Sequence, residues 1–336
     1  MINRYLESII GGRMGQGKAI VLFGARQVGK TTMLKNLLAR RDDVLWLNGD
    51  EQDVRNLFEN VSSTMLKTII GKKSVVVIDE AQRISDIGIG IKLITDNIPD
   101  VQVLATGSSS FDLSNKINEP LTGRKLEYWM YPLSFGELVE HHGLLEEKRL
   151  LAHRLIYGSY PDVINNVGDE RKILTELANS YLYKDILMFD KIKKSDKLVK
   201  LLQALAFQMG SEVSYNELAQ TCGLDPKTVE SYVTLLEQSY IIFRLGSFSR
   251  NLRNELKFAR KIYFWDCGIR NAVIGNYQML ESRLDTGALF ENYMVAERLK
   301  KLRYEKSYAK SYFWRSKLRQ EIDYIEEMDG QLAAVE

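Results

Sequence analysis

The stretch GARQVGKTT, residues 24 to 32, lies between an apolar run, AIVLF (19–23), and a helical-looking segment, MLKNLLAR (33–40). Gly24, Gly29, Lys30 and Thr31 spell G-x-x-x-x-G-K-T, flanked by a strand-like run before and a helix after, which is the context in which this pattern cradles phosphate. Glycines let the backbone curl until successive N–H groups point inward at phosphate oxygens, and the N-terminus of the following helix adds its partial positive charge. The whole turn, Gly24, Ala25, Arg26, Gln27, Val28, Gly29, Lys30, Thr31 and Thr32, is the candidate ATP-binding loop. Lys30 would reach the β- and γ-phosphates, and the Thr31 hydroxyl would coordinate Mg²⁺.

Working outward, a phosphate-binding turn calls for an apolar strand ending in an acid, and SVVVIDE (74–80) supplies it. Asp79 is the expected Mg²⁺ partner, and Glu80 the residue that orients and activates the attacking water. DVLWLNGDE (43–51) and VQVLATGSSS (101–110) read as further strands. In sheets of this kind the first of these adds at the edge, and the polar-ended strand inserts between the loop-bearing strand and the acid-bearing one. Thr106 or Ser108 would then face the γ-phosphate as a sensor. RKLEYWMYPLS (124–134) would be the fifth strand, with Arg124 ahead of it as a candidate arginine sensor or finger. The competing readings are an ordinary Ser-rich turn and a surface arginine.

GARQVGKTT, VVVIDEAQ, TGSSS followed by LTGR, and YPLSFGEL together resemble the prokaryotic predicted AAA+ superfamily ATPases that carry a C-terminal domain of unknown function. The resemblance continues through GSYPDV (158–163), YLYKDIL (181–187), KIYFWDCGIRNA (261–272) and LFENYMVAERL (289–299), so it covers nearly the whole chain. It implies an α/β P-loop NTPase fold, a three-layer parallel sheet over residues 1–134, and an ATP- and Mg²⁺-dependent activity. It also implies a C-terminal part similar to restriction-endonuclease-like folds, in which a helix carboxylate, a strand Asp and a Glu-x-Lys gather a metal and a nucleophilic water. Glu291, Asp323 and Glu336 match the three carboxylates. The lysine has no counterpart, because the sequence stops at Glu336, so the expectation is a truncated or incomplete nuclease-like region without nuclease activity.

Between these ends, residues 135–195 read as a helical subdomain. From 196 to 275, DKLVKLLQALAFQMG, SYNELAQTCGL and DPKTVESYVTLLEQSYIIFRL form three amphipathic helices, the second opening on a Ser with Glu three residues on and the third on Asp225 followed by Pro226. That is a winged-helix-like pattern, whose wing would pair YIIFRLGSFSR with KIYFWD. Residues 276–336 would be the nuclease-like α/β region.

Charge favours one part of the chain for an anionic partner. Residues 240–319 carry 17 basic and 7 acidic side chains, a local +10 in a chain of net charge +2. Arg244, Arg250, Arg253, Lys257, Arg260 and Lys261 are better electrostatic candidates for nucleic-acid contact than the third helix, whose Asp225, Lys227, Glu230 and Glu237 make a net negative set poor for entering a groove. Cys222 and Cys267 have no C-x-x-C partner, and His141, His142 and His153 have no ligand grouping around them, so neither a disulfide framework nor a zinc site is expected. No apolar run approaches membrane-spanning length, and with few cysteines a cytoplasmic protein is expected. The expectation is an ATP-driven switch engaging a partner, DNA or protein, or another copy of itself. The alternatives are a DNA-binding regulator or an interaction scaffold in which ATP is only a structural ligand.

Overall fold

The apolar run before the loop is a strand, β1 (Ala19–Gly24), buried at every residue. Successive side chains point to opposite faces, so burial along the whole length requires cover on both sides of the sheet. β3 (Val75–Asp79) and β4 (Gln102–Gly107) show nearly the same burial, whereas β2 (Val44–Asn48) and β5 (Lys125–Met130) are partly exposed. The order β2-β3-β4-β1-β5 explains the difference, since the two half-buried strands are the edges. All four pairings are parallel, and β4 inserts between the loop-bearing and acid-bearing strands as expected. Parallel strands need crossovers, which the helices Lys30–Leu37, Ser63–Ile70, Ile87–Asn97 and Ser110–Ile117 help to supply.

The computed structural model describes residues 2–108, 110–180, 195–249, 260–316, 318 and 320–335. The chain divides into two compact units, Met1–Tyr131 and Pro132–Glu336. The second begins with short helices, of which Phe135–His142 opens on a reciprocal capping box between Ser134 and Glu137. After the helix Ser195–Phe207 come β6 (Glu212–Val213), helix Tyr215–Cys222 capped by Ser214, and helix Pro226–Gln238 capped by Asp225. β7 (Ile242–Ser247) pairs antiparallel with β8 (Arg260–Phe264), matching Ile242 to Phe264, and β6 pairs with the start of β8.

The other edge of β7 is also occupied. It pairs in parallel with β9 (Lys310–Arg315), which carries β10 (Glu321–Met328) and β11 (Gln331–Val335), giving one six-stranded sheet in the order β11-β10-β9-β7-β8-β6. Strands from the two sides of residue 275 therefore share a single sheet. Among the described residues no helix is long and apolar enough to cross a membrane.

The signature segments of this unit converge on buried polar contacts. Asp266 accepts from Ser159 N (2.7 Å) and from Ile269 N (3.0 Å), capping the helix Cys267–Ile274. Asn292 brackets Phe264, accepting from its N–H and donating to its carbonyl, and Asn271 donates to the carbonyls of Leu155 and Ile156. Most buried polar groups are paired in this way, and these motif residues use the pairing to hold backbone in place. Cys222 and Cys267 are buried free thiols, and burial pushes Cys267 up to about 12.

Candidate functional site

Gly24 ends β1 where β5 runs alongside, and a Cβ there would lie 2.2 Å from the Met130 carbonyl oxygen, so a side chain is excluded. Gly29 takes φ 94° as the N-terminal cap of the helix Lys30–Leu37, a left-handed backbone that glycine adopts without steric cost. Between them the loop curls over a buried ammonium. Lys30 Nζ donates to the carbonyls of Gly24 and Ala25, both at 2.8 Å, and is 6% exposed. Ala25 and Val28 point inward, Arg26 is half-buried, and Gln27 and Thr32 are exposed.

The next residue of the helix reaches the acid strand. Thr31 Oγ1 donates to Asp79 Oδ2 at 2.8 Å, and Thr106 Oγ1, at the end of β4, donates to Asp79 Oδ1 at 2.5 Å. Thr106 also accepts from the Glu80 N–H at 3.2 Å and is fully buried. A hydroxyl has one proton, and this one is committed to Asp79. Of the two sensor candidates, Thr106 is thus a strut under the acid pair, and Ser108 lies beside the Glu80 carboxylate, with Oγ 3.3 Å from Oε2.

Glu80 follows β3 with φ 49°, an uncommon conformation for a side-chain-bearing residue and one that recurs at functional sites. Its carboxylate accepts from Gln82 Nε2 at 2.5 Å, and the same amide lies 3.0 Å from Ser108 Oγ. Gln82 is buried, and its Oε1 has no hydrogen-bond partner. Gln82 carries no role in the sequence reading, although it lies in the quoted VVVIDEAQ. Arg4 is a second residue that reading misses. It is buried and donates to the Val28 carbonyl at 2.8 Å and the Tyr131 carbonyl at 2.6 Å, tying the loop to the end of the sheet.

Arg124 is not brought to this group. It precedes β5, beside Ala19 at the start of β1, where Ala19 N donates to its carbonyl. β1 is six residues long, which puts the guanidinium at the far end of the strand from Gly24, about 17 Å at the usual rise of a parallel strand. There it pairs with Asp96 at 2.6 Å, with both side chains substantially exposed. The in-chain finger role is corrected by the polarity of the sheet: a residue entering a parallel strand lies opposite the loops that leave the strands' C-terminal ends. Arg124→Ala is expected to cost no more than about 1 kcal/mol of stability and to leave turnover within about twofold, measured in a coupled ATPase assay at low and high protein concentration. A tenfold loss would return Arg124 to the site.

In the second unit, Glu291 and Asp323 are brought together around Lys261, while Glu336 lies outside the described residues. His142 pairs with Glu147 and His153 with Glu170, and among the described residues no three His, Cys, Asp or Glu side chains are placed to share a metal. Arg250, Arg253 and Lys257 lie outside the described residues. The other three leading basic residues are all paired: Arg244 with Glu237, Arg260 with Glu230, and Lys261 with carboxylates. Two acids of the third helix, Glu230 and Glu237, are thus partners of arginines on the neighbouring strands, while Asp225 caps the helix through Thr228.

Three family models match along the chain: an AAA domain over residues 16–139, a domain of unknown function (DUF8612) over 148–279, and a second (DUF4143) over 286–336. An uncharacterized protein of Methanocaldococcus jannaschii is 23% identical over 271 residues, covering 74% of this chain and 60% of its own length. Another from the same organism is 26% identical over 358 residues, covering 93% and 72%. The chain therefore spans less than two thirds of the first of these relatives and somewhat more of the second. A Walker-type ATPase of Pyrococcus abyssi has a similar structure, with a TM-score of 0.54 at 14% identity, covering 82% of this chain and 96% of that one.

Proposed function

Since this chain joins a P-loop AAA-like ATPase domain to a C-terminal DUF4143 domain, we propose that it binds and hydrolyses ATP and couples turnover to engagement of a partner by its second unit. The observation that carries the first half is the continuous set Lys30, Thr31, Asp79, Thr106 and Glu80, assembled at the adjoining ends of β1, β3 and β4. Lys30 is poised to exchange the carbonyls of Gly24 and Ala25 for phosphate oxygens, a stronger charge-assisted pairing. The Thr31 hydroxyl and Asp79 carboxylate, 2.8 Å apart, are the hard oxygen donors that suit Mg²⁺, which when bound neutralises charge on the phosphates. Glu80 takes the proton of the attacking water as general base. Gln82 and Ser108 hold its carboxylate in one orientation until substrate competes for the same hydrogen bonds. Steady-state phosphate release with and without Mg²⁺ tests the reading, and nucleotide binding without turnover would leave ATP as a structural ligand.

For the partner, the succession of helix, β6, two helices and the β7–β8 pair supports a winged-helix reading of residues 196–275, and DNA is the partner we assign to it. With Arg244, Arg260 and Lys261 already paired, the burden falls on Arg250, Arg253 and Lys257. Replacing these three by Ala is expected to flatten the slope of log affinity against log salt by about one unit for each phosphate no longer neutralised, whereas Lys227→Ala should change it little. Fluorescence anisotropy with a duplex oligonucleotide across a salt series provides the check. An unchanged slope, or no binding by the intact protein at low salt, would shift the assignment to a protein partner.

A further inference from the structure

The acidic set in the second unit has a cation of its own. Glu291 comes from the helix Thr286–Tyr304, Glu321 and Asp323 from β10, and Lys261 from β8. Lys261 Nζ lies 3.1 Å from Glu291 Oε1, 2.6 Å from Glu321 Oε1 and 3.1 Å from Asp323 Oδ1. An ammonium has three N–H donors and no more. Here each faces a different carboxylate. Behind it the Phe313 ring centre lies 5.5 Å from Nζ, and Tyr263 donates to the same Glu291 oxygen at 2.5 Å.

We propose that Lys261 takes the place that a divalent metal holds in a restriction-endonuclease-like centre, so that this acidic set is closed by a resident ammonium and binds no metal. The restriction-endonuclease likeness calls for a metal among these carboxylates, and the residues present do not fit one. A hydrated Mg²⁺ demands oxygen ligands at about 2.0–2.1 Å in octahedral array and keeps several waters. The three oxygens are instead spread around a nitrogen at hydrogen-bond distances, and that nitrogen occupies the position a metal ion would need. The ammonium cannot easily step aside, because Lys261 is 2% exposed and moving it would strand a buried charge. The cluster thus works as a tie between β8, the helix and β10, elements that are far apart in sequence.

The test uses the full chain carrying Asp79→Asn, to remove the nucleotide-linked metal site, without nucleotide, and follows Mn²⁺ by electron paramagnetic resonance. With Lys261 present, no Mn²⁺ site dependent on Asp323 is expected. Lys261→Met, close in length but uncharged, should gain one Mn²⁺ with at least tenfold tighter binding, and adding Asp323→Asn should abolish it. The same ion should raise the melting temperature of the Lys261→Met chain and not that of its Lys261 parent. Mn²⁺ bound by the Lys261 chain and released on Asp323→Asn would overturn the proposal, as would a folded Lys261→Met chain that gains nothing. If Lys261→Met does not fold without metal, the pair of Lys261 chains with and without Asp323→Asn still decides the matter.

Discussion

Replacing Glu80 by Gln is expected to slow ATP hydrolysis by about 10²–10⁴-fold, the range for losing a general base, while nucleotide affinity stays near that of the unaltered protein. Gln has the shape of Glu, and its carbonyl oxygen can still accept the Gln82 amide proton, so the backbone at φ 49° has no new reason to move. What disappears is the ability to take a proton from water. Lys30→Ala should do the opposite, weakening ATP binding at least tenfold, or about 1.4 kcal/mol, because it removes the charge inside the loop and leaves the carbonyls of Gly24 and Ala25 without that donor. Calorimetric ATP titration alongside a phosphate-release assay separates the two effects. Equal loss of binding in both variants, or a Glu80→Gln protein turning over normally, would remove the roles assigned to them.

The part of the molecule legible in the sequence is the part written in contiguous residues. The loop, the acid pair and the insertion of β4 between β1 and β3 follow from short motifs on successive parallel strands, and neighbouring strands fix each other's place. Arg124 misleads because a motif position says nothing of the direction of its strand. Entering β5, it has to lie at the end of the sheet away from Gly24, and its partner Asp96 belongs to a different element. Gln82 is in view but silent, since its role depends on Glu80 turning into the left-handed region, which nothing in the residue types announces. The pairing of β7 with β9 joins strands more than 60 residues apart, Gly246 to Tyr312, and no local pattern encodes such a register. Lys261 reads as a surface cation for DNA for the same reason: its three carboxylates arrive from residues 291, 321 and 323 only on folding.

Asp266→Ala is expected to destabilise the unit Pro132–Glu336 by about 2–5 kcal/mol, combining the loss of a helix cap with a buried N–H left unpaired. Asp266 is 5% exposed, caps the helix Cys267–Ile274 through Ile269 N, and holds Ser159 N with its other oxygen. Burial pushes its carboxyl above the ordinary aspartate range, and the backbone donors and the Lys300 charge oppose that shift. Asp266→Asn distinguishes capping from simple packing: an amide accepts at one oxygen only and turns its NH₂ toward one of the two backbone donors, so about half of the loss should remain. Hydrogen exchange of the Cys267–Ile274 amides in rising urea reads this locally, which matters because a chain of two units need not unfold in one step. Protection of that helix within about 0.5 kcal/mol of the unaltered protein would show that GSYPDV and KIYFWDCGIRNA are held together by something other than this carboxylate. A large loss with ATP binding retained would show that these signature segments act as scaffold and that nucleotide binding does not depend on them.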